Sequence, residues 1–339
     1  MRLLTVTNMW PSPERPHWGT FVKSQVDSLV AAGIRNTLYE IKGWRSVAQY
    51  LKAMYQVPRL ARSCAADLVH AHFGYTGAAV AGVRVPLVVS FCGTDLLGRP
   101  DEKGGLTLKS VVLARVSAHA ARRADAVIVK SEQMRRVIAD VPGVYVIPNG
   151  VDLERVTSEP REAARRTLGW RLDGKVLLFA ADRDEPCKNF PLAVAVERGL
   201  RGRGLDVRLE CMFGEPQSKI VRAMNAADVL LLPSVHEGSP NVVKEAMACG
   251  LPVVAAPAGD CKELLRDCDP SAVAERTEEA FTAATDRVLA AGTRSNGRAV
   301  IAASLTLEAV ARRVIAVYER VLSGAKRRGA AHAAPAWLP

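Results

Sequence analysis

Two carboxylates, Glu237 and Glu245, stand with seven residues between them in the most informative stretch of the chain, Leu230 to Ala255. The apolar run Leu230–Leu232 ends at Pro233, and a loop then presents Glu237 beside Gly238, Ser239, Pro240 and Asn241. Ser239 as N-cap and Pro240 in the first turn are predicted to open a helix. Val242, Val243, Ala246 and Met247 give that helix an apolar face, Gly250 stops it, and a second apolar strand follows. Glu237 is therefore expected at a strand-to-helix loop and Glu245 within the helix. Ligands bind at the carboxyl ends of strands in open α/β sheets. Two acceptor-rich side chains there suit a ligand with many hydroxyls, such as a sugar joined to a ribose. Glutamate is also a good helix former, so Glu245 has a plain reading on a solvated face. Glu237, beside Gly-Ser-Pro, is harder to read that way.

Arg183 and Lys188 follow the apolar run that ends at Ala181. Two cations at the mouth of a strand-helix loop suit a departing diphosphate, although Asp182, Asp184 and Glu185 also allow surface ion pairs. Gly19 ends a Pro-rich loop where a helix starts, and a missing Cβ lets a ligand reach backbone amides there. Trp10 and Trp18 flank that loop and could stack on an acceptor sugar or pack inward. His70 and His72 share one face of a strand, but no third or fourth ligand stands at a recognisable spacing, so no metal site is expected. His72, at the strand end, is expected to face a cleft. Cys92 and Asp95 lie in Ser90–Asp95 after another strand. A nucleophilic Cys92 competes there with a small, half-buried apolar one.

Strand and helix signals alternate along the chain, the pattern of parallel α/β sheets. Strands are expected near Arg2–Thr7, Asp67–Phe73, Pro86–Phe91, Ala126–Val129 and Tyr145–Ile147, with a helix at Thr20–Ala32. A second series covers Lys175–Ala181, Val207–Met212, Val229–Leu232 and Pro252–Ala256, with helices at Pro191–Arg201 and Ser218–Ala226. The last amphipathic helix spans Leu307–Leu322, and the tail from Lys326 reads as disordered. A length of 339 residues allows two domains. The predicted segments are 1–155, 156–306, a helix at 307–325 and a tail at 326–339.

An apolar content of 49% and a charged content of 24% are those of a globular protein without a membrane span. Seven cysteines without a CxxC pair, and no signal peptide, point to reduced thiols in a cytoplasm. The net charge of +11 is spread along the chain and forms no readable nucleic-acid module, so nucleic acid is not an expected partner. It suits sugar nucleotides or the anionic inner face of a membrane.

Glu237-x7-Glu245 followed by Ala-Met-Ala-Cys-Gly-x-Pro-Val-Val resembles the signature of the family-4 retaining glycosyltransferases. The resemblance implies the GT-B fold: two Rossmann-like parallel-sheet domains facing a cleft, with a C-terminal helix crossing back to the first. It implies an acceptor domain followed by a nucleotide-sugar donor domain. Glu237 and the loop of Gly238, Ser239, Pro240 and Asn241 would hold the donor sugar, and Glu245 the ribose. Arg183 and Lys188 would hold the diphosphate, and Gly19 would lie near it. Trp18, His72, Cys92 and Asp95 are acceptor or cleft candidates. The family commonly has His-Gly-x-Asp where this chain has Cys92-Gly93-Thr94-Asp95, and the usual extra strand-helix unit after Glu215 is not evident.

The implied function is metal-independent, cofactor-free transfer of a hexosyl group (EC 2.4) from a nucleotide-diphosphate sugar, with retention. The acceptor would be a glycan, lipid-linked or small molecule, in exopolysaccharide or other cell-surface glycan biosynthesis. Three alternatives stand beside it: a tailoring enzyme of a small-molecule natural product, a catalytically weak sugar-nucleotide-binding partner protein, and a sugar-nucleotide epimerase.

Overall fold

The computed structural model describes residues 1–15, 18–98, 105 and 107–332. The chain forms two compact units. The first contains Met1–Gly98, Leu108–Pro148 and the chain from Glu308 onward; the second is built on Asn149–Leu307.

In the first unit the order begins β1 (Arg2–Thr7), α1 (Thr20–Ala31), β2 (Arg35–Glu40) and α2 (Ala48–Ser63). There follow β3 (Leu68–His72), α3 (Gly74–Val80), β4 (Leu87–Ser90) and α4 (Thr94–Leu97). Then come α5 (Leu108–Arg123), β5 (Ala126–Val129), α6 (Glu132–Val137) and β6 (Val144–Val146). The six strands are all parallel, in the order β2-β1-β3-β4-β5-β6. Every residue of β3, β4 and β5 is buried, as a parallel sheet covered on both faces requires. β2 was not foreseen. Its Arg-Asn-Thr-Leu-Tyr-Glu is an edge strand with no fully buried residue, so it lacks the apolar run that betrays a central strand.

The second unit contains α7 (Arg161–Leu168), β7 (Lys175–Phe179), α8 (Phe190–Gly202), β8 (Val207–Cys211), α9 (Gln217–Ala226) and β9 (Val229–Leu232). It continues with α10 (Asn241–Ala248), β10 (Val253–Ala255), α11 (Cys261–Leu265), β11 (Ala272–Val273), α12 (Glu278–Ala291) and α13 (Gly297–Ser304). Its sheet is also parallel, in the order β11-β10-β9-β7-β8. Only α9 lies between β8 and β9.

The last helix, α14 (Leu307–His332), returns to the first unit. Val310, Val314, Val317, Tyr318 and Val321 bury against Leu3, Leu29, Leu68, Val88 and Ile128. Two observations bear on the expected segment bounds. The backbone stays helical over 326–332, a stretch rich in Ala, Lys and Arg that lets a helix propagate; residues 333–339 lie outside the described residues. The first boundary falls at Pro148 rather than near 155. Val151 donates its N–H to the Leu305 carbonyl at 2.8 Å and, with Val156, buries in the second unit's core.

Candidate active site

In the second unit the strand order reverses between β7 and β9, and the loops after these two strands lie side by side. Such a reversal is where an open α/β sheet offers a crevice beyond its carboxyl ends. Main-chain bonds tie the loops: the Val235 N–H donates to the Cys187 carbonyl at 2.8 Å. The Asn189 amide donates to the Pro233 carbonyl at 3.3 Å. This pinning places the Lys188 ammonium 2.7 Å from a Glu237 carboxylate oxygen. Burial alone would lower Lys188, but the adjacent carboxylate outweighs it and holds the ammonium above its usual range. Arg183, in the same β7 loop, is exposed.

Glu245 sits half-buried on α10, where its carboxylate accepts a bond from the Gln217 amide at 3.2 Å. Burial pushes its carboxyl up to about 7, against the pull of that bond and of Lys244. It is therefore not on an ordinary solvated face.

Ser239 does not cap α10; Pro240 holds the N-cap position, without a side-chain bond. The Ser239 hydroxyl donates instead to Asp260 at 2.7 Å and accepts from the buried Lys244 ammonium at 3.1 Å. Lys244 also donates to the Asn149 carbonyl at 3.1 Å, and the Asn149 amide donates to Asn241 at 3.3 Å. Gly259, at φ +61°, packs so tightly that a Cβ would lie 2.7 Å from the Gly238 carbonyl oxygen. A turn after β10 thus braces the loop that carries Glu237. The sequence reading missed Lys244 and Asp260. The available signal was a lysine between Val243 and Ala246, on the apolar face of a helix.

In the first unit the order reverses between β1 and β3. Gly19 lies after β1, with φ +75°, and an added Cβ would meet the Met9 carbonyl at 2.4 Å. The fold of this loop explains that glycine without a ligand. The Trp18 indole is 42% exposed and donates to the Asn8 carbonyl at 3.3 Å. The Arg15 guanidinium lies 5.4 Å from the Trp18 ring and 4.4 Å from the Trp44 ring.

His70 donates to, or accepts from, Tyr318 and Ser90, which accounts for its burial. His72 stacks on His70 with centroids 4.1 Å apart. Burial, and then the Lys130 charge, hold the His72 imidazole down to about 3, so it is neutral. Asp95 is fully buried, and its carboxylate accepts from the N–H groups of Gly93 at 2.8 Å, Gly74 at 2.9 Å and Cys92 at 3.0 Å. It fixes the turn after β4 rather than presenting a free carboxylate. Burial pushes the Cys92 thiol well up, with the Asp95 charge adding to it, which opposes thiolate chemistry. Among the described residues, no group of three or more His, Cys, Asp or Glu could hold a metal ion.

Comparison with known proteins gives two family matches: "Glycosyltransferase Family 4" over residues 7–155 and "Glycosyl transferases group 1" over residues 195–291. The chain is 25% identical to TuaC of Bacillus subtilis, a glycosyltransferase named for teichuronic acid biosynthesis, over 78% of this chain and 83% of that protein. It is 29% identical to a D-inositol 3-phosphate glycosyltransferase of Geodermatophilus obscurus, over 80% and 71%. A sucrose-phosphate synthase structure from Thermosynechococcus elongatus superposes with a TM-score of 0.77 at 17% identity, over 96% of this chain and all of that one. Anabaena HepE in complex with UDP and glucose gives 0.69 at 18% identity, over 94% and 100%. With two parallel Rossmann-like sheets, and with a glycosyltransferase family match in each half, the chain is a glycosyltransferase of the GT-B fold.

Proposed function

We propose that this transferase moves a sugar from a nucleotide-diphosphate sugar to an acceptor hydroxyl with retention of anomeric configuration, in the assembly of a cell-surface glycan. The observation that carries this reading is the Lys188–Glu237 pair, 2.7 Å apart where the strand order of the second sheet reverses. Exposed Arg183 and half-buried Lys188 supply charge for the departing diphosphate. Glu237 and the 238–241 loop hold the donor sugar, and Glu245 accepts from the ribose hydroxyls. The acceptor oxygen attacks from the face the phosphate leaves. Its bond to the anomeric carbon forms as the carbon–phosphate oxygen bond breaks, and its proton passes to the departing phosphate. No metal ion or cofactor enters these steps, so activity is expected to survive EDTA.

TuaC supports a glycan acceptor, and HepE, solved with UDP, supports a nucleotide donor. A cytoplasmic protein touching the anionic inner face of a membrane fits the charge of +11. It also fits α2, which exposes Leu51, Met54 and Tyr55 alongside Lys52, Arg59 and Arg62. No described helix is long and apolar enough to cross a membrane.

A thermal-shift screen against UDP-, GDP-, ADP- and dTDP-sugars finds the donor, because a bound ligand stabilises in proportion to its affinity. NMR of the product then reads the anomeric configuration. Inversion of that centre, or donor turnover that needs no acceptor, would overturn the reading.

A further inference from the structure

Strands β3, β4 and β5 end side by side, and His72, Ser90 and Lys130 stand at or just past those ends. Lys130 is 1% exposed, and its ammonium has no hydrogen-bond partner among the described residues. The Nε2 atom of His72, equally buried, has none either. Burial, and then the Lys130 charge, lower the basicity of His72. Burial lowers the basicity of the Lys130 ammonium, and Cys92 and Asp95 oppose that only in part. Asp95, however, is already occupied by the N–H groups of Gly74, Cys92 and Gly93.

Other buried cations in this chain are treated differently. Arg165 has Asp228 at 2.6 Å, and Lys244 has Ser239 and Asn149 at 3.1 Å. A buried ammonium without a hydrogen-bonded partner is costly, and a ligand anion relieves that cost on binding. The His72 imidazole, in the same row of strand ends with β4 between, can donate a second bond.

We propose that Lys130 and His72 form an oxyanion-binding subsite in the first unit, taking a phosphate or carboxylate group carried by a substrate. The oxyanion is carried by a charged acceptor. The subsite goes beyond the proposed function, whose donor-binding and catalytic residues all lie in the second unit, and rests on it only in calling the anion's carrier a substrate.

The test titrates full-length wild type, Lys130→Met, Lys130→Gln and Lys188→Ala with inorganic phosphate, glucose 1-phosphate, glucuronate and UDP, read by calorimetry and thermal shift. At least one small anion is expected to bind wild type and to weaken tenfold or more in both Lys130 variants, but not in Lys188→Ala. Both Lys130 variants should melt at or above wild type without ligand, because an unpartnered buried charge has been removed. UDP binding is expected to stay intact in the Lys130 variants; a parallel loss of UDP would overturn the assignment to an acceptor. The proposal is overturned if no small anion binds wild type, if the Lys130 variants bind all four probes as wild type does, or if both variants melt well below it. Loss of UDP binding in Lys188→Ala belongs to the donor reading alone, so the two can fail separately.

Discussion

At the scale of single residues, Arg183 and Lys188 separate cleanly. Arg183 is exposed, so Arg183→Ala should leave stability unchanged and lower kcat by an amount equivalent to about 2–4 kcal/mol of transition-state stabilisation. Lys188→Ala should show a similar kcat loss and also leave Glu237 without its partner at 2.7 Å. Steady-state kinetics beside denaturant melts check both, and a near-normal kcat in both variants removes them from the mechanism. Glu245 gives a pH signature. Its folded carboxyl, at about 7, lies above its ordinary value of 4.5, so the folded state holds that proton more tightly. This contribution to stability is complete below about pH 4.5 and is lost as pH rises through 7. Glu245→Gln should therefore exceed wild type by on the order of 1–2 kcal/mol at pH 8, with the gap closing towards pH 4.5. A ribose donating to the ionised carboxylate should make donor affinity climb between pH 6 and 8 in wild type and stay flat in the variant. Cys92 tests the departure from the family pattern. With its thiol pushed up by burial, Cys92→Ser should keep most activity, and a donor-dependent adduct on residue 92 in mass spectrometry would contradict front-side attack.

At the scale of elements, α2 has two unlike faces. Ala53, Val57 and Ala61 are buried, while Val47, just before the helix, is 78% exposed and Leu51 is 66% exposed. If this face meets an anionic bilayer, Leu51→Glu with Met54→Glu should weaken binding to phosphatidylglycerol vesicles about tenfold or more, by loss of buried apolar area and by charge repulsion. Co-sedimentation measures it, with neutral phosphatidylcholine vesicles as control. Equal binding to both vesicle types would remove the electrostatic part of the argument. Two other helices are opened by ordinary side-chain caps. Ser131 caps α6 by accepting from the Met134 N–H at 3.4 Å, and Thr277 caps α12 by accepting from Ala280 at 3.2 Å.

At the scale of the whole molecule, α14 is the segment that makes the first unit discontinuous in sequence. Its Tyr318 is fully buried and its hydroxyl meets His70 on β3, a bond spanning 248 positions. Tyr318→Phe keeps the ring and deletes only the hydroxyl, so it should cost about 1–3 kcal/mol. Denaturant unfolding with a probe in the first unit would register that change, and an unchanged midpoint would show that His70 finds another partner.

The sequence by itself determined the fold class, the two sheets and the motif around Glu237 and Glu245. Consecutive buried residues in parallel strands leave an apolar run, and a strand-loop-helix site leaves its turn chemistry within a few positions. The sequence also placed Arg183 and Lys188 on one loop, but the bond from Lys188 to Glu237 spans 49 positions and depends on β7 lying beside β9. Edge strand β2, with its half-exposed polar residues, carried no run to read. Helix continuation past 325 was hidden because Lys- and Ala-rich sequence suits a helix and a loose tail alike. Only tertiary structure decided that Ser239 serves Asp260 and Lys244 rather than a helix N-terminus, that Asp95 is consumed by three backbone amides, and that Lys130 lies buried without a hydrogen-bond partner among the described residues. Those outcomes turn on which atoms meet across long sequence separations and on which are cut off from water, and neither is encoded in local spacing.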